Sequence, residues 1–154
     1  MINNYMLNYE KLQKGDIILT SGSNLQSKFI RLATISRYSH AAIWVGGTII
    51  EATRKGVFSK NPQRLMVDEA KHLAVYRSKI SLSKEVERKV CEYAQSRVGS
   101  LYSIPEAALM LPLRTINVEK SNMEFCSRLV ACSYKYAGYD LLNLRNPDFC
   151  SPSA

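Results

Sequence analysis

An α+β fold is predicted by three observations. Two β-prone runs, residues 37–45 and 48–52, flank Gly46-Gly47, a hairpin signal because glycine reaches the positive φ angles that a tight turn demands. Further short β-prone runs at 16–20, 55–58 and 73–77 are separated by turn-forming residues. Apolar residues recur at helical spacing in three other stretches, after Ser23 or Asn24, after Ser81 or Ser83, and around Cys126. With 154 residues, 46% of them hydrophobic and 22% charged, the expectation is one domain, 1–154, with a full core.

Taken in order, Ile17, Ile18 and Leu19 form the first strand, broken by Ser21-Gly22-Ser23. Leu25, Phe29, Leu32 and Ala33 then mark an amphipathic helix to about Thr34. In the hairpin, pairing Val45 with Thr48 sets Trp44 opposite Ile49, Ala42 opposite Glu51 and His40 opposite Thr53. That register makes His40 and Glu51 diagonal neighbours on one face, within reach of a carboxylate that orients an imidazole. A three-residue loop would place them on opposite faces. Ala41, Ile43, Val45, Ile50 and Ala52 form the alternate, wholly apolar face, which must pack on a core.

Residues 55–58 add a strand, and Asn61-Pro62 starts a helical turn running through Leu65, Val67 and Ala70. After the strand at 73–77, Ser81 or Ser83 caps a helix with Glu85 and Glu87 in its first turn. Val86, Val90, Tyr93, Ala94 and Arg97 or Val98 supply its stripe, Cys91 reads as packing, and Gly99 ends it. Phe125, Leu129, Val130, Ser133, Tyr134 and Ala137 form the stripe of the last helix, which Gly138 stops. Read as starting near Asn122, that helix carries Cys126 in its first turn, where free amides and the helix dipole favour a thiolate. Cys132 lacks that advantage, and Cys150 lies in an irregular tail after Pro147.

Composition narrows the function classes. The formal charge of +8 suits an acidic partner, possible anionic surfaces included, but Lys and Arg are scattered rather than interleaved with aromatics, so no specific nucleic acid is expected. Four cysteines without a C-x-x-C pair, beside only two histidines, offer no metal site, and no cofactor motif is present. A run of about 20 apolar residues, the length needed to cross a bilayer, is nowhere present. Residues 1–10 show no cationic segment followed by an apolar run, so a cytoplasmic protein with reduced thiols is the default expectation, with signal-independent export leaving no mark.

A cysteine in an apolar helix is by itself an ordinary small core residue, and a lone strand histidine is usually structural. The combination carries more: a thiol, an imidazole and a carboxylate that orients it are the parts of nucleophilic acyl transfer.

The motifs Gly15-Asp16-Ile17-Ile18, Ser36-Arg37-Tyr38-Ser39-His40-Ala41, Ile50-Glu51-Ala52, Gly99-Ser100-Leu101-Tyr102 and Phe125-Cys126-Ser127-Arg128-Leu129-Val130 resemble, in that order, those of circularly permuted papain-like cysteine hydrolases. This is the YiiX-like branch of the NlpC superfamily, related to lecithin:retinol acyltransferase-like enzymes. The order His, acid, Cys is diagnostic, and the resemblance covers about 15–138. It implies a small antiparallel sheet or partial barrel packed against helices, with the nucleophile at a helix N-terminus. It further implies Cys126 as nucleophile, His40 as general base and acid, and Glu51 as the third member. Tyr38, Trp44 and Tyr102 are the candidate substrate-binding residues. Phe125, where Tyr is usual, and Arg128, where Glu is frequent, depart from the family pattern and bear on substrate preference.

The function implied is a cysteine hydrolase that cleaves an amide or ester through a thioester, most simply an amidase or peptidase on peptide or peptidoglycan-like substrates. A lipid-directed phospholipase or acyltransferase using the same thiol is a second reading, suited by the basic surface and the apolar stretch 107–111. A non-catalytic binding module on the same fold is a third.

Overall fold

The described residues of the computed structural model are 4–21, 38–53, 55–79, 81–101, 118–139 and 141, with 118–125 described by their backbone alone. Five antiparallel strands form the main sheet: β2 (Ile17–Thr20), β3 (His40–Trp44), β4 (Ile49–Thr53), β5 (Gly56–Lys60) and β7 (Leu73–Tyr76). Their order is β5-β4-β3-β2-β7. A separate two-stranded ribbon joins β1 (Tyr5–Met6) to β6 (Met66–Val67). Two long helices follow, α1 (Lys84–Ser96) and α2 (Val118–Tyr136).

The hairpin follows the register expected from Gly46-Gly47. Both glycines have positive φ, the Val45 N–H donates to the Thr48 carbonyl at 3.1 Å, and Ala42 pairs with Glu51, Ile43 with Ile50 and Trp44 with Ile49. His40 pairs on its other side with Thr20, which places it at the end of the central strand. At Gly56, φ is +120° and an added Cβ would sit 2.6 Å from the Ser100 carbonyl oxygen. Only glycine lets this strand lie so close to the segment after α1. There Val57 donates to Ser100 and receives the Gly99 N–H, so part of the outer edge of β5 is covered.

Strand alternation divides the core into two layers. On one face, Leu19, Ala41, Ile43, Val45, Ile50, Ala52 and Val57 pack against Val90, Cys91 and Ala94 of α1 and Cys126, Leu129, Val130 and Tyr134 of α2. On the other, Ile18, Ala42, Trp44 and Ile49 are closed over by Leu7, with Leu12, Leu65 and Leu73 packed around them. Both faces are apolar because both are covered, and each fully buried aliphatic side chain contributes about 1.5–3 kcal/mol. At one end of the sheet, Asp16, almost fully buried, receives Arg77 Nε at 2.7 Å and Nη2 at 2.6 Å.

Ser83 is the α1 cap, its side chain accepting the Val86 N–H at 3.2 Å. The helix ends at Ser96, so Val98 lies beyond it and is exposed rather than part of the stripe.

Two further expectations are corrected. Asn61 does cap, accepting the Gln63 N–H, but the helical turn stops after Pro62–Arg64. Met66 and Val67 are instead drawn into pairing with Met6 and Tyr5, because interstrand hydrogen bonds outweigh local turn preference over so short a run. The ribbon's first strand had no turn signal or alternation to announce it. The largest correction concerns α2, which begins at Val118, so that Cys126 lies more than two turns inside it rather than at its N-terminus. An amide at that depth is engaged by the carbonyl four residues earlier and is not free to favour a thiolate or receive an oxyanion. The helix expected at 23–34 and the apolar stretch 107–111 lie outside the described residues.

Candidate active site

The hairpin register has a direct chemical result. Glu51 lies opposite Ala42, and His40 is two residues along the same strand face, so their side chains meet: His40 Nε2 is 3.1 Å from Glu51 Oε2. Nδ1 is the ring nitrogen not engaged by Glu51. Cys126, on the helix that packs against the neighbouring face, is hydrogen-bonded to the His40 side chain. Because His40 occupies the first position of β3, its ring reaches both partners from the end of the sheet.

Charge follows geometry. Burial by itself would lower the His40 pKa, but the charge of Cys126 and its hydrogen bond, followed by the hydrogen bond and charge of Glu51, push it up to about 10. Burial would likewise raise the Glu51 carboxyl, yet the His40 hydrogen bond and charge, then Lys60, bring it below its ordinary value of 4.5. The arrangement favours an imidazolium held between sulfur and carboxylate.

Access is uneven across the trio. Cys126 is 0% exposed, the Glu51 side chain 17% and the His40 side chain 28%. The exposed member is thus the histidine, and the sulfur lies behind it in the core layer.

Tyr38 is partly buried against the same core layer and meets Tyr76 edge-on, with ring centroids 6.5 Å apart. Trp44, expected to line a cleft, is 6% exposed and packs among Leu7, Ile18, Ala42 and Ile49. The second layer claims it because the N-terminal segment covers that face. Tyr102 lies outside the described residues, as does Cys150. Cys91 is buried in the core as expected, and Cys132 is partly exposed on α2.

One participant escaped the motif reading. Lys60 Nζ stands 3.8 Å from the same Oε2 atom that His40 contacts. Carrying the alternation of the third strand two residues beyond Phe58 would have found it, since Glu51 pairs with Phe58. A cavity of about 660 Å³, lined by Lys14, Asp16, Arg77, Leu82 and Tyr134 among others, opens at the other end of β2 and is lined by none of the trio. Among the described residues, no group of three or more His, Cys, Asp or Glu is placed to hold a metal ion. No helix among them is long and apolar enough to cross a membrane.

Histidine, acid and cysteine in that chain order, on an antiparallel sheet backed by two helices, are the layout of a permuted papain-like protein. Residues 11–145 match the family described as permuted papain-like amidase enzyme, YaeF/YiiX, C92 family, and the chain belongs to it. A search of curated proteins finds no match.

Proposed function

We propose that the protein is a thiol amidase in which Cys126 is the nucleophile, His40 the proton carrier and Glu51 the group that orients it. The observation that carries this reading is the His40 ring, bonded to Glu51 through Nε2 and hydrogen-bonded to Cys126. The Cys126 thiolate attacks the amide carbonyl carbon, forming a C–S bond and a tetrahedral oxyanion. Collapse breaks the C–N bond, and the leaving amine takes the proton carried by His40. Water then attacks the thioester while His40 accepts its proton, and cleavage of the C–S bond releases the acid and restores the thiolate-imidazolium pair. Substrate reaches the sulfur past the His40 ring, the exposed side of the trio. Peptide or peptidoglycan-like amides are the substrate class put forward.

The test uses the full chain and its C126A variant, incubated separately with peptides, isopeptides, muropeptides and mixed phospholipids, with products followed by mass spectrometry. Amide cleavage that C126A lacks, at an unfolding temperature close to wild type, is the expected result. Cleavage of phospholipid alone would replace the amidase reading with a lipid acyl one, and undiminished hydrolysis by C126A would remove the thiol from the chemistry.

A further inference from the structure

We propose that Lys60 is a positioning residue for this site: its ammonium shares Glu51 Oε2 with the His40 ring, keeps that carboxylate ionised and directed at the ring, and so sets the lower pH limit of activity. The inference rests on the Cys126-His40-Glu51 reading and extends it to a fourth side chain.

Three observations bear on it. Pairing of Ile49 with Lys60 and Glu51 with Phe58 makes Lys60 and Glu51 diagonal neighbours on one face, so the 3.8 Å approach follows from the ladder and not from a chance side-chain excursion. The strand end is fixed by Thr48: the Lys60 carbonyl accepts the Thr48 hydroxyl at 3.0 Å, and that hydroxyl also meets the Ser59 hydroxyl at 2.7 Å. Lys60 is 32% exposed and Glu51 only 17%, so the ammonium remains hydrated while its partner is largely withdrawn from water.

Charge balance explains what Lys60 adds. In the thiolate-imidazolium state that the proposed mechanism requires, thiolate, imidazolium and carboxylate together carry one net negative charge in a mostly buried place, which is unfavourable without a compensating cation. Among the described residues, the charged and titratable groups facing Glu51 are His40 from β3 and Lys60 from β5, with Cys126 of α2 reaching the ring beyond. Lys60 brings their sum to zero. Without it, Glu51 takes up a proton at a higher pH, the ring loses its ionised acceptor, and the site fails earlier on acidification.

The experiment measures carbamidomethylation of Cys126 by iodoacetamide against pH, by peptide mass spectrometry, in wild type, K60M, K60R and H40A, with the Glu51 carboxyl followed by carbon NMR in the first three. K60M should raise both the Glu51 titration and the acid limb of Cys126 modification by about one pH unit, the usual scale for loss of one adjacent opposite charge. K60R should restore both. An unmoved Glu51 titration or acid limb in K60M overturns the inference, as does a K60R variant that behaves like K60M. If H40A leaves the Cys126 profile unchanged, the thiol-imidazole reading itself falls. A profile altered by H40A but not by K60M removes Lys60 alone.

Discussion

The chain has two histidines, and each meets a carboxylate, yet the two pairs are built differently. His72 Nδ1 contacts Asp68 Oδ1 at 2.7 Å, four residues away across a single tight turn, with Glu69 Oε1 at 3.9 Å from the other nitrogen. His40 meets Glu51 at the longer distance of 3.1 Å, across two strands and eleven residues. The Asp68 side chain is 53% exposed, and its partner's hydrogen bond holds it below the ordinary carboxylate value. Glu51 is mostly withdrawn from water, answers to Lys60 as well, and supports a ring that also bonds a thiol. The shorter contact is thus the local one, which serves to fix a turn. What separates the pairs is the thiol and the drier carboxylate, Glu51 being 17% exposed against 53% for Asp68 although the His72 ring is the more buried of the two rings. Charges couple more strongly where water is withdrawn.

Under the proposed mechanism that contrast is sharpest in turnover. H40A should lose on the order of 10²- to 10⁴-fold in kcat/KM, the usual range for removing a proton-transfer group. H72A should leave kcat/KM within about threefold, with its effect confined to unfolding temperature. Steady-state kinetics on any amide cleaved in the substrate screen measures both, and comparable losses in the two variants would erase the distinction.

The hairpin shows why much of this site could be read from residues alone. Gly46-Gly47 fixes a two-residue turn, the turn fixes register, and register determines that His40 and Glu51 share a face. The same alternation forecast the apolar face of Ala41, Ile43 and Val45 that α1 and α2 cover. Failures came where a distant segment decided the outcome. Trp44 is placed by Leu7 and Leu12 from the N-terminal region, and Met66 by a strand sixty residues earlier, neither of which local pattern discloses. The start of α2 is not legible in the sequence because the residues before Asn122 lack an apolar stripe and helix termini are the least legible part of a pattern. The sequence points to Cys126 through the dipole of a helix end, whereas in the structure its distinguishing contact is the hydrogen bond with the His40 side chain.

A second measurement follows from that replacement. If exposure governed thiol reactivity, partly exposed Cys132 would react before fully buried Cys126. Under the proposed mechanism, activation by His40 reverses the order, because the thiolate rather than the thiol attacks. With substoichiometric iodoacetamide at neutral pH, Cys126 should be modified several-fold faster than Cys132 and Cys91, and H40A should restore the order set by exposure. Cys132 reacting first in the wild type would mean that the imidazole does not activate the sulfur.

The smallest effect expected concerns stability, and its sign differs between acid and base. His40, at about 10 against an ordinary 6.5, holds its proton more tightly in the folded chain, so its contribution is complete below pH 6.5 and is lost as pH climbs through 10. Glu51, lowered from 4.5, contributes fully above that value and less as pH falls below it. Both contributions coexist in full between about pH 4.5 and 6.5, so the Tm deficit of E51Q should be largest there and shrink on either side. Part of this is screened, since the His40 side chain is 28% exposed. D68N, acting on an exposed carboxylate, should show a smaller deficit throughout, and a D68N deficit equal to that of E51Q at pH 5.5 would mean that burial and the neighbouring thiol add nothing to the coupling at His40.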